Sequence, residues 1–228
     1  MKNNSDMNIL VSGADGNLGS AVVDKLKSEG NNIFGLFGFE ENTKNAEDSF
    51  QKVAIDLMDP KAAAAAVKEA NDTFDEINGA VLTVGGYAGG SIKDVSIEDI
   101  HKQIKLNFDT AFNLVKPLLE KMPKGSQIFL IGAKPVLSPN DLKNVVSYGL
   151  AKQLIFSLAE IINADFSEHQ ISAHVIVPSI IDTPPNREAM ADMNFDDWVK
   201  PEQIAQTIVH YLNHPELRGG VIKAYGNM

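Results

Sequence analysis

The chain has 228 residues, no cysteine and a formal net charge of -10 at pH 7. The absence of cysteine excludes disulfides, thiolate catalysis and metal centres with cysteine ligands. The acidic balance leaves no basic surface that could neutralise a phosphate backbone. We therefore expect a small-molecule substrate, and neither nucleic acid nor a membrane as a partner.

One domain is expected over residues 1–228, because a chain of this length can bury a continuous core by itself. Residues 1–6 are polar and lead directly into an apolar segment, which is not the pattern of a signal peptide. No apolar run reaches membrane-spanning length. These features predict a cytoplasmic protein.

Apolar segments of strand length alternate with helix-forming segments along the chain. Strands are predicted at residues 8–11, 33–37, 53–55, 79–84, 127–131, 172–177 and 220–224. Helices are predicted at residues 18–29, 60–71, 97–121, 145–166 and 201–212. The strands lack the polar and apolar alternation of a half-solvated sheet. The sequence therefore predicts an α/β fold, doubly wound, with a seven-stranded, mostly parallel sheet and helices on both faces.

Two irregular segments, residues 134–144 and 178–198, follow the fifth and sixth predicted strands. Ligands of doubly wound sheets bind at the carboxyl ends of the strands. These segments are therefore predicted to form the walls of a substrate site. Within the second one, Trp198 is expected to pack the segment onto the core.

The turn after the first strand carries three glycines spaced three apart before a predicted helix. Glycine permits a tight turn and a close approach of the backbone to a pyrophosphate, and the first amides of the helix attract an anion. In this position the pattern predicts a Rossmann-type dinucleotide site, the alternative being a turn that only connects strand and helix. The residues concerned are Gly13, Asp15, Gly16, Asn17, Leu18 and Gly19.

The second strand closes with Phe37, Gly38 and Phe39, where an enzyme that uses NAD usually has an acid for the ribose hydroxyls. Glu40 and Glu41 follow one or two positions late, and no arginine is near. Two acids would repel a 2′-phosphate, which favours NADH over NADPH. Lys44 is the feature that favours NADPH, so both cofactors stay open.

Tyr148 and Lys152 lie four apart in a predicted helix and therefore on one face of it. A tyrosine with a pKa of about 10 exchanges protons poorly at neutral pH, and a neighbouring ammonium favours the phenolate. We therefore expect Lys152 to lower the pKa of Tyr148, so that this pair acts in proton transfer. The alternative is an aromatic ring packed against an aliphatic stem.

A glycine turn after the first strand and a Tyr/Lys helix after the fifth resemble the short-chain dehydrogenase/reductase family over nearly the whole chain. The resemblance implies hydride transfer with a nicotinamide cofactor. It also implies a homodimer or homotetramer that pairs through residues 97–121 and 145–166. Cofactor contacts are implied for Asp56 and Leu57 at adenine, Gly85 and Gly86 along the dinucleotide, Lys152 at the nicotinamide ribose and Thr183 near the carboxamide.

Asn107 resembles the family asparagine that holds a proton-relay water, which makes it a candidate catalytic residue. Its alternative is a polar residue in a helix interior that captures a backbone carbonyl.

Ala133 is the important departure from the family, because it stands where the catalytic serine is expected and has no hydroxyl. A carbonyl substrate would lose a hydrogen-bond donor there. Ser138 and Ser147 are more typical of loop and cap residues than of substitutes.

The segments 85–90, 132–134, 148–152 and 182–187 are similar to the branch of the family that reduces quinonoid dihydropterins. Such a substrate is electron-poor and needs less polarisation than a ketone. Tyr87 is expected to stack on its flat ring, and Asn186 and Arg187 to contact substrate or cofactor, unless Arg187 only anchors its loop through a salt bridge. The alternatives are a reductase of ketones or acyl thioesters and a sensor that binds NAD(P) without chemistry.

No metal is expected, because the five histidines show no spacing typical of a metal site supported by carboxylates. His210 and His214 lie four apart, but Pro215 ends their helix, so both are expected at the surface.

Overall fold

The computed structural model describes residues 7–46 and 48–227. Its strands are β1 Asn8–Ser12, β2 Asn32–Phe37, β3 Gln51–Ala54, β4 Gly79–Leu82, β5 Gln127–Ile131, β6 Ser172–Pro178 and β7 Val221–Ala224. They form one sheet in the order β3-β2-β1-β4-β5-β6-β7, and every neighbouring pair is parallel. The predicted seven-stranded α/β sheet is confirmed, and it is entirely rather than mostly parallel.

The helices are α1 Asn17–Ser28, α2 Glu40–Asn45, α3 Pro60–Phe74, α4 Ile97–Ile104, α5 Thr110–Leu119, α6 Pro139–Leu142, α7 Val146–Asp165, α8 Pro184–Ala189 and α9 Pro201–Leu212. Three of them, α2, α6 and α8, were not expected, because helices of four to six residues are too short to show helical periodicity. Across the described residues, no helix combines the length and the apolar character needed to cross a bilayer.

The predicted helix 97–121 is divided by a π-helical turn. Ser96 starts α4 with a capping box to Asp99, and the regular helix ends at Ile104. A π turn covers Lys105–Asp109 before α5 begins. A π turn holds one residue more than an α-helical turn, and here it carries Asn107, whose side chain bonds to a residue outside the helix, as described below.

The core lies in two layers, one on each face of the sheet. Ile9 and Val11 of β1 pack with apolar residues of α1 and α9, whereas Leu10 faces α3, α5 and α7. All three side chains are fully buried. Helices therefore cover both faces, as predicted. From β1 the chain first adds β2 and β3 on one side of the sheet and then β4 to β7 on the other, so the strand order reverses between β1 and β4.

The carboxyl ends of β1 and β4 form the crevice at which the strand order reverses. Thr83, just after β4, donates its hydroxyl to the carbonyl of Ser12 over 2.6 Å and so ties the two ends together. In open α/β sheets this crevice is where ligands bind.

His174 of β6 is fully buried in a network of polar groups, a location that the sequence did not indicate. Its Nε2 is 3.1 Å from Gln127 Oε1, and its Nδ1 accepts from the Gly220 amide over 3.3 Å. The ring stacks on Phe129 at 5.0 Å. Burial lowers the pKa of His174 to about 4.

This burial predicts a pH-dependent stability. The unfolded chain takes up the His174 proton near its ordinary pKa of about 6.5, whereas the native chain takes it up near about 4. The unfolded state therefore binds more protons between these values. The contribution of neutral His174 to the free energy of unfolding is complete above pH 6.5. This contribution falls by roughly 3 kcal/mol as the pH is lowered toward 4.

Urea unfolding at pH 7, 5.5 and 4.5 tests this expectation. His174→Gln keeps a donor and an acceptor but cannot titrate, so its stability should fall less between pH 7 and 4.5 than that of the wild type. The control is His101→Gln at an exposed position of α4. Equal pH slopes for the two variants would show that His174 does not carry the effect.

Candidate active site

The glycine turn between β1 and α1 is built for close approach of a ligand to the backbone. Gly13 has a φ of +64°, and a Cβ there would lie 2.8 Å from Thr83 Oγ1. A Cβ at Gly19 would lie 1.9 Å from the Gly13 carbonyl oxygen, so α1 packs directly on the turn. Gly16 is the N-cap of α1 and makes no side-chain cap. The first turn of α1 also has no acid, so its amides suit an anion such as pyrophosphate.

The other residues predicted in this turn differ in exposure. Asn17 is exposed beside Gly16, whereas Leu18 is buried in the core on the α1 side. The carboxylate of Asp15 accepts from the Asn42 side chain, which joins the turn to α2.

The expected adenosine end is open and carries acids. A Cβ at Gly38 would have no neighbour within 4 Å, so the end of β2 has room for a ligand. Glu40 and Glu41 begin α2, and Lys44 lies 3.9 Å from the Glu40 carboxylate. These residues are all exposed.

Asp56 and Leu57 follow β3 at the same edge of the sheet. Asp56 is exposed and its carboxylate accepts from the Met58 amide over 2.9 Å. Leu57 is buried, and its carbonyl accepts from Asn113 over 2.9 Å.

Asn107 holds the chain that leaves β4. Its Oδ1 accepts from the Gly86 amide at 3.1 Å, and its Nδ2 donates to the Gly86 carbonyl at 3.0 Å. The same Nδ2 reaches the Gln103 carbonyl at 3.2 Å and Gln103 Oε1 at 2.9 Å. The side chain is 1% exposed. Asn107 therefore captures backbone groups, as its alternative predicts, and its expected role in a proton relay stays a prediction.

Gly85 lies between Asn107 and Lys152. A Cβ there would come within 2.6 Å of Asn107 Oδ1 and 3.2 Å of Lys152 Nζ. Only glycine lets the chain pass so close to both polar groups.

Lys152 and Tyr148 lie on one face of α7, as predicted. Lys152 is 4% exposed, and its Nζ donates to the Ile131 carbonyl at 2.9 Å. The same atom is 5.8 Å from the centroid of the Tyr148 ring. Burial lowers the pKa of Lys152 to about 8.

The expected lowering of the Tyr148 pKa was wrong for this geometry. Burial raises the pKa of Tyr148 well above its ordinary value, and the nearby Tyr87 adds to the increase. Desolvation of the phenol is the largest cause, and the Lys152 ammonium, 5.8 Å from the centroid of the ring, does not outweigh it. Tyr148 is accordingly a neutral phenol at physiological pH, which is the form that can donate a proton.

Tyr87 lies beside Tyr148 on a segment fixed at both ends. Asn107 holds Gly86, and Gly90 is bonded to the start of α7 through the Asn144 carbonyl and the Val146 amide, each over 2.9 Å. The Tyr87 ring is 71% exposed and lies 5.3 Å from the Tyr148 ring at an interplanar angle of 61°. An exposed aromatic face therefore borders the phenol.

Ala133 follows β5 and presents a buried methyl group, 3% exposed, where the family has a serine hydroxyl. Ser138 is the N-cap residue of α6, and Ser147 is buried in the first turn of α7. The cap role expected for Ser138 agrees with its position, although its side chain makes no capping hydrogen bond. The expectation for Ser147 was wrong, because this serine lies within the helix, whose N-cap is Val145.

The residues predicted on the loop after β6 bond to one another. Thr183 is the N-cap of α8, and its Oγ1 accepts from the Asn186 amide at 3.4 Å. Asn186 Nδ2 donates to the Ile181 carbonyl at 2.8 Å, and Arg187 makes a two-point salt bridge with Asp182. Trp198 is 2% exposed, which confirms the prediction that it packs on the core.

Gln103 and Asp182 are site residues that sequence reasoning missed. Gln103 lies one turn before Asn107, a four-residue spacing that could have indicated the pair. Asp182 lies five residues before Arg187 in a loop, where spacing carries no comparable signal. No group of three or more His, Asp or Glu in residues 7–46 and 48–227 is placed to hold a metal ion.

The strand order and the glycine turn at its reversal point define a Rossmann-type α/β fold. A family model described as short chain dehydrogenase matches residues 7–194. The chain therefore belongs to the short-chain dehydrogenase/reductase family and is an NAD(P)-dependent oxidoreductase.

Among relatives, the dihydropteridine reductase of Dictyostelium discoideum is 28% identical over 224 residues, which cover 95% of this chain and 93% of that protein. The short-chain dehydrogenase/reductase of Serratia marcescens has a solved structure with a TM-score of 0.84 at 18% identity, covering 98% of this chain and 97% of that one. A blue fluorescent protein from a metagenomic library, solved in complex with NADPH, has a TM-score of 0.81 at 19% identity, with the same coverage of both chains.

The pKa of Lys152 predicts how activity depends on pH. Its ammonium is lost as the pH rises through about 8. If this charge supports the cofactor and the phenol, kcat/KM for reduction should fall above pH 8. Lys152→Met should lower kcat/KM at pH 7 on the order of 100-fold and remove this inflection.

The measurement is kcat/KM between pH 6 and 10 for the wild type, Lys152→Met and the control Lys68→Met on the exposed face of α3. An unchanged inflection in Lys152→Met would assign the titration to another group.

Proposed function

We propose that this enzyme uses NADH to reduce a flat, quinonoid, dihydropterin-like substrate, with Tyr148 as proton donor. The observation that carries the proposal is the contact of the exposed Tyr87 ring with Tyr148, beside the buried Lys152 and with no hydroxyl at Ala133. The resemblance to a protein named dihydropteridine reductase supports the same substrate class.

A neutral, half-buried phenol suits a reduction. The raised pKa of Tyr148 keeps the hydroxyl protonated at neutral pH. A reduced nicotinamide, when bound, supplies a hydride, and Tyr148 supplies the proton, so that the substrate gains two electrons and two hydrogen atoms in all. The phenolate left on Tyr148 lies near the ammonium of Lys152, which is charged below about pH 8.

The site offers few donors to polarise a substrate. The phenols of Tyr148 and Tyr87 lie side by side, and Ala133 adds no hydroxyl to them. A ketone oxygen in such a site develops charge with one donor fewer than the family usually provides. A quinonoid ring is already electron-poor, and its flat face matches the exposed ring of Tyr87.

The glycine turn, the uncapped start of α1 and Lys152 would hold the cofactor. Gly85, Gly86 and Thr183 line the same edge of the sheet. NADH is proposed over NADPH because Asp15, Glu40 and Glu41 place acids near the end of β2, where a 2′-phosphate would be repelled.

We also expect one domain over residues 1–228, a cytoplasmic location and a homodimer or homotetramer. Phe112 of α5 and Ile161 of α7 support pairing through these helices, because their side chains are 43% and 62% exposed.

The first test is the oxidation of NADH and of NADPH by the purified protein with a freshly generated quinonoid dihydropterin, a ketone panel and a quinone panel. We expect rapid pterin-dependent turnover with NADH. Tyr148→Phe should lower kcat on the order of 100-fold or more, with cofactor affinity changed less than about twofold. Tyr211→Phe on α9 is the matched control.

Turnover with another acceptor would keep the family chemistry and reject the pterin. Wild-type turnover in Tyr148→Phe would reject the proton donor. A cofactor that binds but is never oxidised would favour a sensor, which the missing hydroxyl at Ala133 makes the second candidate.

Restoring the hydroxyl tests the role assigned to Ala133. Ala133→Ser adds one donor at a buried position and should raise ketone kcat/KM by about two- to tenfold, as expected for one neutral hydrogen bond. Pterin turnover should change less. Ala133→Cys has a similar volume but a weak donor and serves as the control. Equal effects of serine and cysteine would show that volume, not the donor, matters at this position.

A further inference from the structure

The loop that follows β6 is closed at its base by its own backbone. Ile181 and Val199 form a parallel bridge, with the Asp182 amide bonded to the Val199 carbonyl at 2.8 Å and the Val199 amide bonded to the Ile180 carbonyl at 3.1 Å. Residues 182–198, the substrate loop, therefore leave and re-enter the fold at one point. The loop follows β6, which lies beside β5, and the Gly132 amide just after β5 donates to the Ile176 carbonyl of β6.

Arg187 bonds inside this loop. Its Nε lies 2.5 Å from Asp182 Oδ1 and its terminal nitrogen 2.8 Å from Asp182 Oδ2, a two-point bridge. The guanidinium carbon also lies 4.9 Å from the centroid of the Phe195 ring. One side chain thus joins the first turn of the substrate loop to its far end. Only arginine combines the planar fork with stacking on a ring.

Phe195 also packs against Trp198. Their rings lie 4.9 Å apart at 55°, and Trp198 is 2% exposed. Within the described ranges, the Trp198 Nε1 has no hydrogen-bond partner. An unpaired N–H would gain a hydrogen-bond partner in water, so the indole is held in its buried position by packing and not by a hydrogen bond.

The C-terminal residues support the same end of the loop. The Asn227 amide donates to the Asp197 carbonyl at 3.0 Å, and its side chain donates to the Asp196 carbonyl at 3.2 Å. A Cβ at Gly226 would lie 2.5 Å from the Asp197 carbonyl oxygen. The backbone at the far end of the loop is therefore held from outside the loop. The packing of the Phe195 and Trp198 side chains and the position of α8 depend on contacts inside the loop, those of Arg187 among them.

We infer that Arg187 is a positioning residue, which holds α8 through Asp182 and Phe195 and thereby sets the wall of the substrate site. It does not bind the substrate itself. The part of this inference that concerns substrate affinity rests on the proposed function, whereas the part that concerns the loop does not.

Trp198 provides a direct readout, because it is the single tryptophan of the chain. Arg187→Met keeps the length of the side chain but removes the fork and the charge. We expect a red shift of Trp198 emission and at least a twofold increase in acrylamide quenching, with an unchanged circular dichroism spectrum. Arg187→Lys should recover only part of the wild-type signal. Arg218→Met, at the second arginine of the chain, is the control.

The kinetic arm separates positioning from binding. Arg187→Met and Asp182→Asn should each raise the substrate KM by about five- to tenfold, with kcat changed less than about twofold, and the double variant should be no worse than either single one. If Arg187 bound the substrate directly, Arg187→Met would instead raise the substrate KM and Asp182→Asn would not.

Unchanged Trp198 fluorescence in Arg187→Met, or a wild-type KM in Asp182→Asn, would overturn the inference. Should Arg187→Met fail to fold, Phe195→Leu removes the stack while leaving the salt bridge, and the same fluorescence change is expected. Failure of pterin turnover would reject the proposed substrate alone, because the fluorescence arm needs no substrate.

Discussion

The pair of hydrogen bonds between the Asn107 side chain and the Gly86 backbone is the constraint on which the rest of the site depends. One amide group binds both polar groups of one glycine, so the position and orientation of the chain after β4 are fixed together. Gly85 is thereby held against Lys152, and the next residues reach the start of α7, which places Tyr87 on Tyr148. The π turn that carries Asn107 replaces regular helical hydrogen bonds, and the buried side chain that it presents finds partners for every polar atom.

Much of the fold could be predicted because it depends on properties that sequence displays directly. The apolar segments give the seven strands, with ends that moved by no more than two residues, and the lack of polar alternation gives the parallel pairing. The glycine spacing gave the turn, since a Cβ at Gly13 or Gly19 would collide with neighbours. The π turn escaped prediction, because one extra residue within a helix changes neither composition nor periodicity enough to be seen.

The burial and the hydrogen-bond partners of the site residues were harder to predict than their positions in the fold. Four-residue spacing put Tyr148 and Lys152 on one face of α7, but spacing does not specify burial or the partner of the ammonium. The partner of the ammonium is the Ile131 carbonyl, and desolvation raises the pKa of Tyr148, so the expected direction was wrong. His174 shows the same limit, because a histidine in an apolar strand could equally face a helix or a ligand, and the Gln127 side chain that satisfies it lies 47 residues away.

An acidic chain that must attract an anionic dinucleotide needs its positive groups in the right place rather than in number. The net charge of -10 acts over distances at which salt screens it, with a Debye length of about 8 Å at physiological ionic strength. Close to the crevice, the uncapped start of α1 presents positive backbone dipoles, and Lys152 presents a buried ammonium that has three donors. Within the described part of the chain, the Ile131 carbonyl accepts from this ammonium. Local geometry therefore places positive groups at the crevice of a chain whose net charge is negative.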